Sequence, residues 1–376
     1  MGIEFRKGAL GFNPLPSLHT GDAEENSGNY ALLDIITALH WIQRNIESFG
    51  GDPENVTISG LSSGGRAAVL MMICPLARGL FHKVIAFSAG LTLAVPEPSQ
   101  KVFAQRFARL AVEDGLRNTQ DEVEKWLLSE AADDRKTARA WLMGLSEEHV
   151  ISLFPVAGGR MVAFPHFFLD GTVLPKEGFD TLHWNQAPRM AFCSSDEFSL
   201  FTGVDPWFRQ CQKANPADQA LPGDKALSTK YGSLFFAYFS SHQMAKHLYP
   251  HLNTPIYIGR FNYGHDAKHF SEEFVRRYGA VHGVYLPFLS DQYKTPWKRG
   301  NDFFEHTGAE YLGTQFFNYI GQFMKQGNPN FDAEETPWQA RAPDNQYELI
   351  FDGDRNRGYV KAGVNQFSYD ALFVQY

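Results

Sequence analysis

The sequence predicts an α/β fold with a mostly parallel central sheet flanked by helices. Three observations carry that prediction. Short apolar runs of strand length alternate with helical segments between residues 3 and 87. Two further runs of the same kind recur at residues 189–193 and 255–261. No internal repeat or low-complexity linker divides the chain, so one domain over residues 1–376 is the economical reading, with helical insertions near 100–155 and 200–250. Strands that alternate with helices pair in parallel and carry the helices on both faces of the sheet.

Taken in order, residues 3–12 (Ile-Glu-Phe-Arg-Lys-Gly-Ala-Leu-Gly-Phe) read as a strand end and a glycine-punctuated turn. A polar loop with Pro14, Pro16, Gly21 and Gly28 follows. From Tyr30 a helix is expected, because Leu32, Ile35, Leu39, Ile42 and Ile46 repeat every three or four residues along one face. Gly50-Gly51, with Pro53 beyond, is a C-terminal stop signal. Residues 55–59 (Asn-Val-Thr-Ile-Ser) form a β-branched strand, residues 66–72 a helix and residues 83–87 another strand. Thr119-Gln120-Asp121-Glu122 is a capping box that opens a helix carrying Val123, Trp126 and Leu127. Residues 308–326 make a long amphipathic helix, ended by Gly327 and Pro329.

Composition excludes several classes of function. The net charge is −8 and the Lys and Arg residues are dispersed, with no basic tract to neutralise phosphates, so nucleic acid is not the expected partner. No apolar run reaches the roughly 18 residues of a membrane span. Cys74, Cys193 and Cys211 are three thiols at scattered spacing, neither a disulfide framework nor a metal knuckle, which suits a reducing compartment such as the cytoplasm. The 32 Phe fit a large core or an apolar pocket equally well.

The pentapeptide Gly60-Leu61-Ser62-Ser63-Gly64 lies between a predicted strand and a predicted helix. In that context G-x-S-x-G is a nucleophile elbow, the mark of a serine hydrolase of the α/β-hydrolase type. The turn is tight and strained, so its flanking positions, Gly60 and Gly64, are expected to lack side chains for steric reasons. Glycine spacing makes Ser62 rather than Ser63 the nucleophile, and the N–H of Ser63 the oxyanion donor. A serine nucleophile needs a general base and a carboxylate to orient it, in the chain order serine, acid, histidine. His282, in the small-residue loop Gly279-Ala280-Val281-His282-Gly283, suits that order. His265 and His269 are rivals; their four-residue spacing also resembles a metal pair, but it lacks a glutamate and a third ligand. No metal or cofactor is expected. Asp196 and Glu197 follow the strand near Cys193 and serve equally well as the acid on this pattern, with Asp170 and Asp205 in weaker contexts.

Beyond these elements, the chain resembles the type-B carboxylesterases, which include cholinesterases and bacterial para-nitrobenzyl esterases. The similarity runs through Phe5–Phe12, Ser27–Asp34, residues 49–57 leading into the elbow, Asp170–Pro175, Ser195-Asp196-Glu197, Gly279–Pro287 and residues 325–330. The resemblance implies hydrolysis of a small-molecule ester through an acyl-enzyme, with Ser62, Glu197 and His282 as the catalytic residues, and so selects Glu197 over Asp196 and His282 over His265. This sequence departs from the family at Leu61 and Ser63, where Glu and Ala are usual. It also lacks the N-terminal region that precedes the match to residues 5–12, with its first strands and its glycine-rich His-Gly-Gly loop.

In the family that loop donates two of the three oxyanion N–H groups, which here leaves Ser63. Each lost donor costs on the order of 100–1,000-fold in rate, so weak ester hydrolysis is expected, and a catalytically impaired fragment or cholinesterase-like binding module is the alternative. Missing strands would expose a sheet edge and apolar surface, to be covered by the missing N-terminal piece or by a second copy. The resemblance leaves localisation open, because a signal peptide could lie in the missing region.

Overall fold

The computed structural model describes residues 1–90, 92–154, 167–214, 220–266, 268–270, 274–275, 278–291, 303–332 and 336–365. Six strands form one sheet in the order β1 (Thr57–Leu61), β2 (Lys83–Phe87), β3 (Arg189–Ser194), β4 (Ile256–Phe261), β5 (Tyr347–Gly353) and β6 (Gly358–Val364). The first five are parallel, and β6 pairs antiparallel with β5. Their registers bring the carboxyl ends level: Leu61 pairs with Phe87, Phe87 with Phe192, Ser194 with Phe261, and Phe261 with Phe351. Loops that leave this edge are therefore neighbours. Among the described residues β1 has one strand neighbour, β2.

Alternation along the strands builds two apolar layers. Val84, Ala86, Ile256 and Ile258 face a core shared with the helix α2 (Tyr30–Asn45), which buries Leu32, Ile35, Leu39 and Ile42 as its spacing predicts. That helix passes into a 3₁₀ turn at Ile46–Phe49 and stops at Gly50, whose φ of 77° only glycine adopts freely. Ile85, Phe87, Met190, Phe192, Tyr257 and Phe261 face the opposite layer, which is largely aromatic. There Phe87 stacks on Phe192 at 5.0 Å, Phe261 on Phe351 at 5.5 Å, and Trp338 meets Phe192 edge-on. A side chain at Gly259 would meet Phe192 at 2.5 Å, so that glycine makes room for the stack. The long helix predicted over 308–326, observed at Thr307–Gln326, covers this layer with Leu312, Phe316, Tyr319 and Phe323 and ends at Gly327 with φ 76°. Each such buried side chain contributes about 1.5–3 kcal/mol. Much of the phenylalanine thus goes to a packed sheet face.

Two helical stretches join the strands. Helices α4 (Pro96–Glu113), α5 (Gln120–Leu127), α6 (Ala132–Gly144) and α7 (Glu147–Leu153) lie between β2 and β3. The predicted capping box at Thr119 and Glu122 is formed, and Val123, Trp126 and Leu127 are buried. Helices α8 (Phe198–Val204), α9 (Pro206–Ala214), α10 (Ala220–Ala237) and α11 (Met244–Leu248) lie between β3 and β4, with a π-helical turn at Tyr238–Gln243.

The structure corrects the expectation at residues 3–12. No strand forms there; residues 1–7 are irregular and a single helical turn, α1, spans Gly8–Gly11. The guanidinium and backbone N–H of Arg6 bind the Asp34 carboxylate, and a side chain at Gly11 would lie 2.1 Å from the Arg6 oxygen. The segment folds back on itself and onto α2, so its backbone is not offered to the sheet. The hairpin β5–β6 was not foreseen at all.

Candidate active site

The elbow sits where β1 turns into α3 (Ser63–Leu70). Ser62, at the apex, has φ 56° and ψ −116°, a conformation that costs a non-glycine residue about 1–3 kcal/mol. Surrounding hydrogen bonds hold it there: its N–H donates to the Phe87 oxygen at 2.8 Å, and its carbonyl accepts from Arg66 N–H at 2.9 Å. The second bond starts the helix three residues earlier than the predicted Arg66, a start hidden in sequence by Gly64-Gly65. Steric demand at the turn also differs from expectation. A side chain at Gly60 would meet the Gly64 backbone at 2.3 Å, as foreseen. Gly64, however, faces open space, and it is Gly65 whose side chain would strike the Gly60 and Phe87 oxygens at 2.6 and 2.9 Å. Ser63 opens α3, so its N–H is among those without an intrahelical acceptor.

The carboxyl end of β3 leads directly into Glu197, whose side chain is fully buried. One carboxylate oxygen accepts from Ser194 N–H at 2.7 Å and from the Ser88 hydroxyl; the other meets His282 Nδ1. A carboxylate only accepts, so Nδ1 carries the proton and Nε2 of a neutral imidazole is left as a base. The ring of His282 is 6% exposed and lies against Phe201 at 5.1 Å and Phe236 at 5.8 Å. Its loop touches the elbow, since a methyl at Gly283 would stand 3.4 Å from Leu61 Cδ2. No hydrogen bond joins Ser62 Oγ to His282 among the described residues, a contact that in ligand-free sites commonly tightens only with substrate.

Two residues of this network escaped the sequence reading. Ser88, just past β2, has φ 47° and also bonds the Tyr285 hydroxyl. Tyr285 is wholly buried, and burial raises its phenol well above the ordinary range. Both lie far from Glu197 in the chain, and no local pattern ties either of them to it.

The other candidates have different occupations. Asp196 accepts from Ala280 N–H at 2.8 Å and pairs with His265 Nδ1 at 2.9 and 3.0 Å. Hydrogen bonding to Asp196, against the opposing effect of burial, raises the His265 imidazole above its usual value. His269 instead stands 4.0 Å from Asp266 and from Asp354, so the two histidines serve different carboxylates. Asp170 caps a turn through the N–H groups of Thr172, Val173 and Leu174, and Asp205 accepts from Trp207 N–H at the start of α9. Cys193 is buried, which pushes its thiol well above the ordinary value and leaves it a packing residue.

The chain is similar to known proteins in sequence and in fold. The sequence profile of the Carboxylesterase family matches residues 1–230. A liver carboxylesterase of Sus scrofa is 33% identical over 204 residues, which is 53% of this chain and 33% of that protein. Carboxylesterase 1E of Rattus norvegicus is 34% identical over 202 residues, 52% of this chain and 33% of its own length. These matches thus span about a third of each relative. Among solved structures, a PNB esterase superposes with a TM-score of 0.64 at 21% identity, covering 98% of this chain and 71% of its own. A carboxylesterase of Geobacillus stearothermophilus gives 0.60 at 23% identity, covering 95% and 72%. The fold is that of the α/β-hydrolases, and by the extent of the profile match the chain belongs to the carboxylesterase family.

Proposed function

We propose that this chain is a serine carboxylic-ester hydrolase whose reacting residues are Ser62, His282 and Glu197, carried on one α/β-hydrolase domain with helical insertions. The observation that carries the reading is the buried Glu197–His282 pair next to the strained Ser62 turn, all at the carboxyl edge of the sheet. In this reading His282 Nε2 takes the Ser62 proton as Oγ attacks the ester carbonyl, and then gives it to the departing alcohol. Water, deprotonated by the same nitrogen, cleaves the acyl-serine and regenerates the hydroxyl. Glu197 keeps the proton on Nδ1 and stabilises the imidazolium between the two transfers. Phe201 and Phe236 beside the imidazole favour a neutral ester with apolar groups.

The reading includes a low rate. Ser63 N–H is the oxyanion donor that the elbow supplies, and each further donor that is lacking costs about 3–4 kcal/mol of transition-state stabilisation. The test is release of para-nitrophenol from a short-chain ester. We expect slow turnover that Ser62→Ala lowers at least about 1,000-fold. A folded chain without Ser62-dependent turnover would instead support the impaired-fragment or binding-module reading.

A further inference from the structure

Adjacent carboxylates at the end of β3 point to two histidines, and the mechanism above uses only one of them. Asp196 is also joined to the loop that carries His282. Its N–H donates to the Ala280 oxygen at 2.9 Å, its Oδ2 accepts from Ala280 N–H at 2.8 Å, and it forms an isolated parallel bridge with Val281. Contact with Gly279 is so close that a side chain there would lie 2.4 Å from Asp196 Oδ2, and Gly279 has φ 55°, open mainly to glycine. Ala280 and Val281 are buried, so this backbone has little water to bond with instead. On its other side the carboxylate is held by His265, whose N–H donates to the Asn262 oxygen just beyond β4.

We infer that Asp196 is a positioning residue that sets the backbone from which His282 projects, while Glu197 sets the imbedded ring itself. Through Ala280 the Asp196 side chain fixes the height and direction of the 279–282 loop over the sheet edge, and His265 restrains the carboxylate from the β4 side. The inference rests on the reading of Ser62, Glu197 and His282 as the reacting residues. A small displacement of a general base far exceeds its energetic cost to folding in its effect on rate: about 1 Å of misplacement costs on the order of 100-fold.

Two readouts test it in the full chain. The first is the far-downfield proton resonance of His282 Nδ1–H bound to Glu197, which needs no turnover. The second is the rate at which a fluorophosphonate labels Ser62. Asp196→Ala is expected to abolish the resonance and to slow labelling about 100-fold. Asp196→Asn keeps an oxygen that accepts from Ala280 N–H; it should retain the resonance and at least about a tenth of the native labelling rate. Should Asp196→Ala not fold, Gly279→Ala, which displaces the same carboxylate, carries the test with the same expected losses. A folded Asp196→Ala or Gly279→Ala chain with native resonance and native labelling would overturn the inference. A native chain that shows the resonance but takes up no fluorophosphonate would overturn the hydrolase reading alone, and the resonance of the variants would still decide the positioning role.

Discussion

Two carboxylate–histidine pairs leave successive residues of the chain, and they differ in burial more than in chemistry. The Glu197 and His282 side chains are 0% and 6% exposed, whereas those of Asp196 and His265 are 19% and 50% exposed. In the first pair, water is excluded and both carboxylate oxygens are met by placed donors: Ser194 N–H and the Ser88 hydroxyl on one, the imidazole on the other. In the second, solvent reaches the imidazole and screens the contact. On the proposed reading, the same two functional groups make a base-orienting unit in one place and a loop fastening in the other. Position relative to the core decides between them.

The largest break in this comparison comes from the buried pair. Replacing Glu197 by Gln keeps the shape but offers an amide N–H to Nδ1 and invites the wrong tautomer. Ser62-dependent ester hydrolysis should fall about 1,000–10,000-fold, read as kcat in a para-nitrophenyl ester assay. A loss of tenfold or less would show that another group orients the ring.

A smaller effect is expected one contact further out. Ser88→Ala removes a donor to the Glu197 carboxylate and strands the buried Tyr285 hydroxyl. A hydrogen bond to a charged group contributes about 1.5–3 kcal/mol, so kcat should drop roughly 10–100-fold, with KM little changed and a lowered melting temperature. Unchanged kcat with a lowered melting temperature would restrict Ser88 to a structural part.

The smallest effect belongs to the exposed pair and depends on pH. Hydrogen bonding to Asp196 raises His265 above its ordinary value, with Asp352 and Asp266 adding to the effect. A raised histidine stabilises the fold fully below its unfolded pKa of about 6.5, and that contribution disappears as pH rises through the higher folded value. His265→Gln should therefore lower the melting temperature at pH 6 and not at pH 9, with a difference worth up to about 1 kcal/mol. Thermal melts across this range check it; an equal loss at both pH values would assign the contact to packing rather than charge.

What was legible in the sequence follows the range of the interactions. The elbow, the capping box at Thr119 and the helix ends at Gly50 and Gly327 are each written within a few residues, and each forms where its local signal lies. Residue pattern alone left Asp196 and Glu197 equivalent, since neighbours in a chain share nearly all local context. Their difference arises from which way each side chain leaves the end of β3, toward Ser88 or toward His265. Ser88 and Tyr285 were illegible for a related reason: their partners stand 109 and 197 residues apart in the chain. Residues 3–12 read as a strand end and a turn, but Arg6 finds Asp34 in α2 and the segment packs there instead.

The unequal steric roles of the three elbow glycines bear on how such sites are recognised in genomes and altered in the laboratory. A search that weights the second glycine of G-x-S-x-G as heavily as the first treats Gly64 as indispensable, yet a side chain there would meet open space. Position 64 is thus a vacant anchor on an otherwise crowded turn. A side chain introduced there projects without displacing backbone, while the constraint that shapes the turn is carried one residue later, at Gly65.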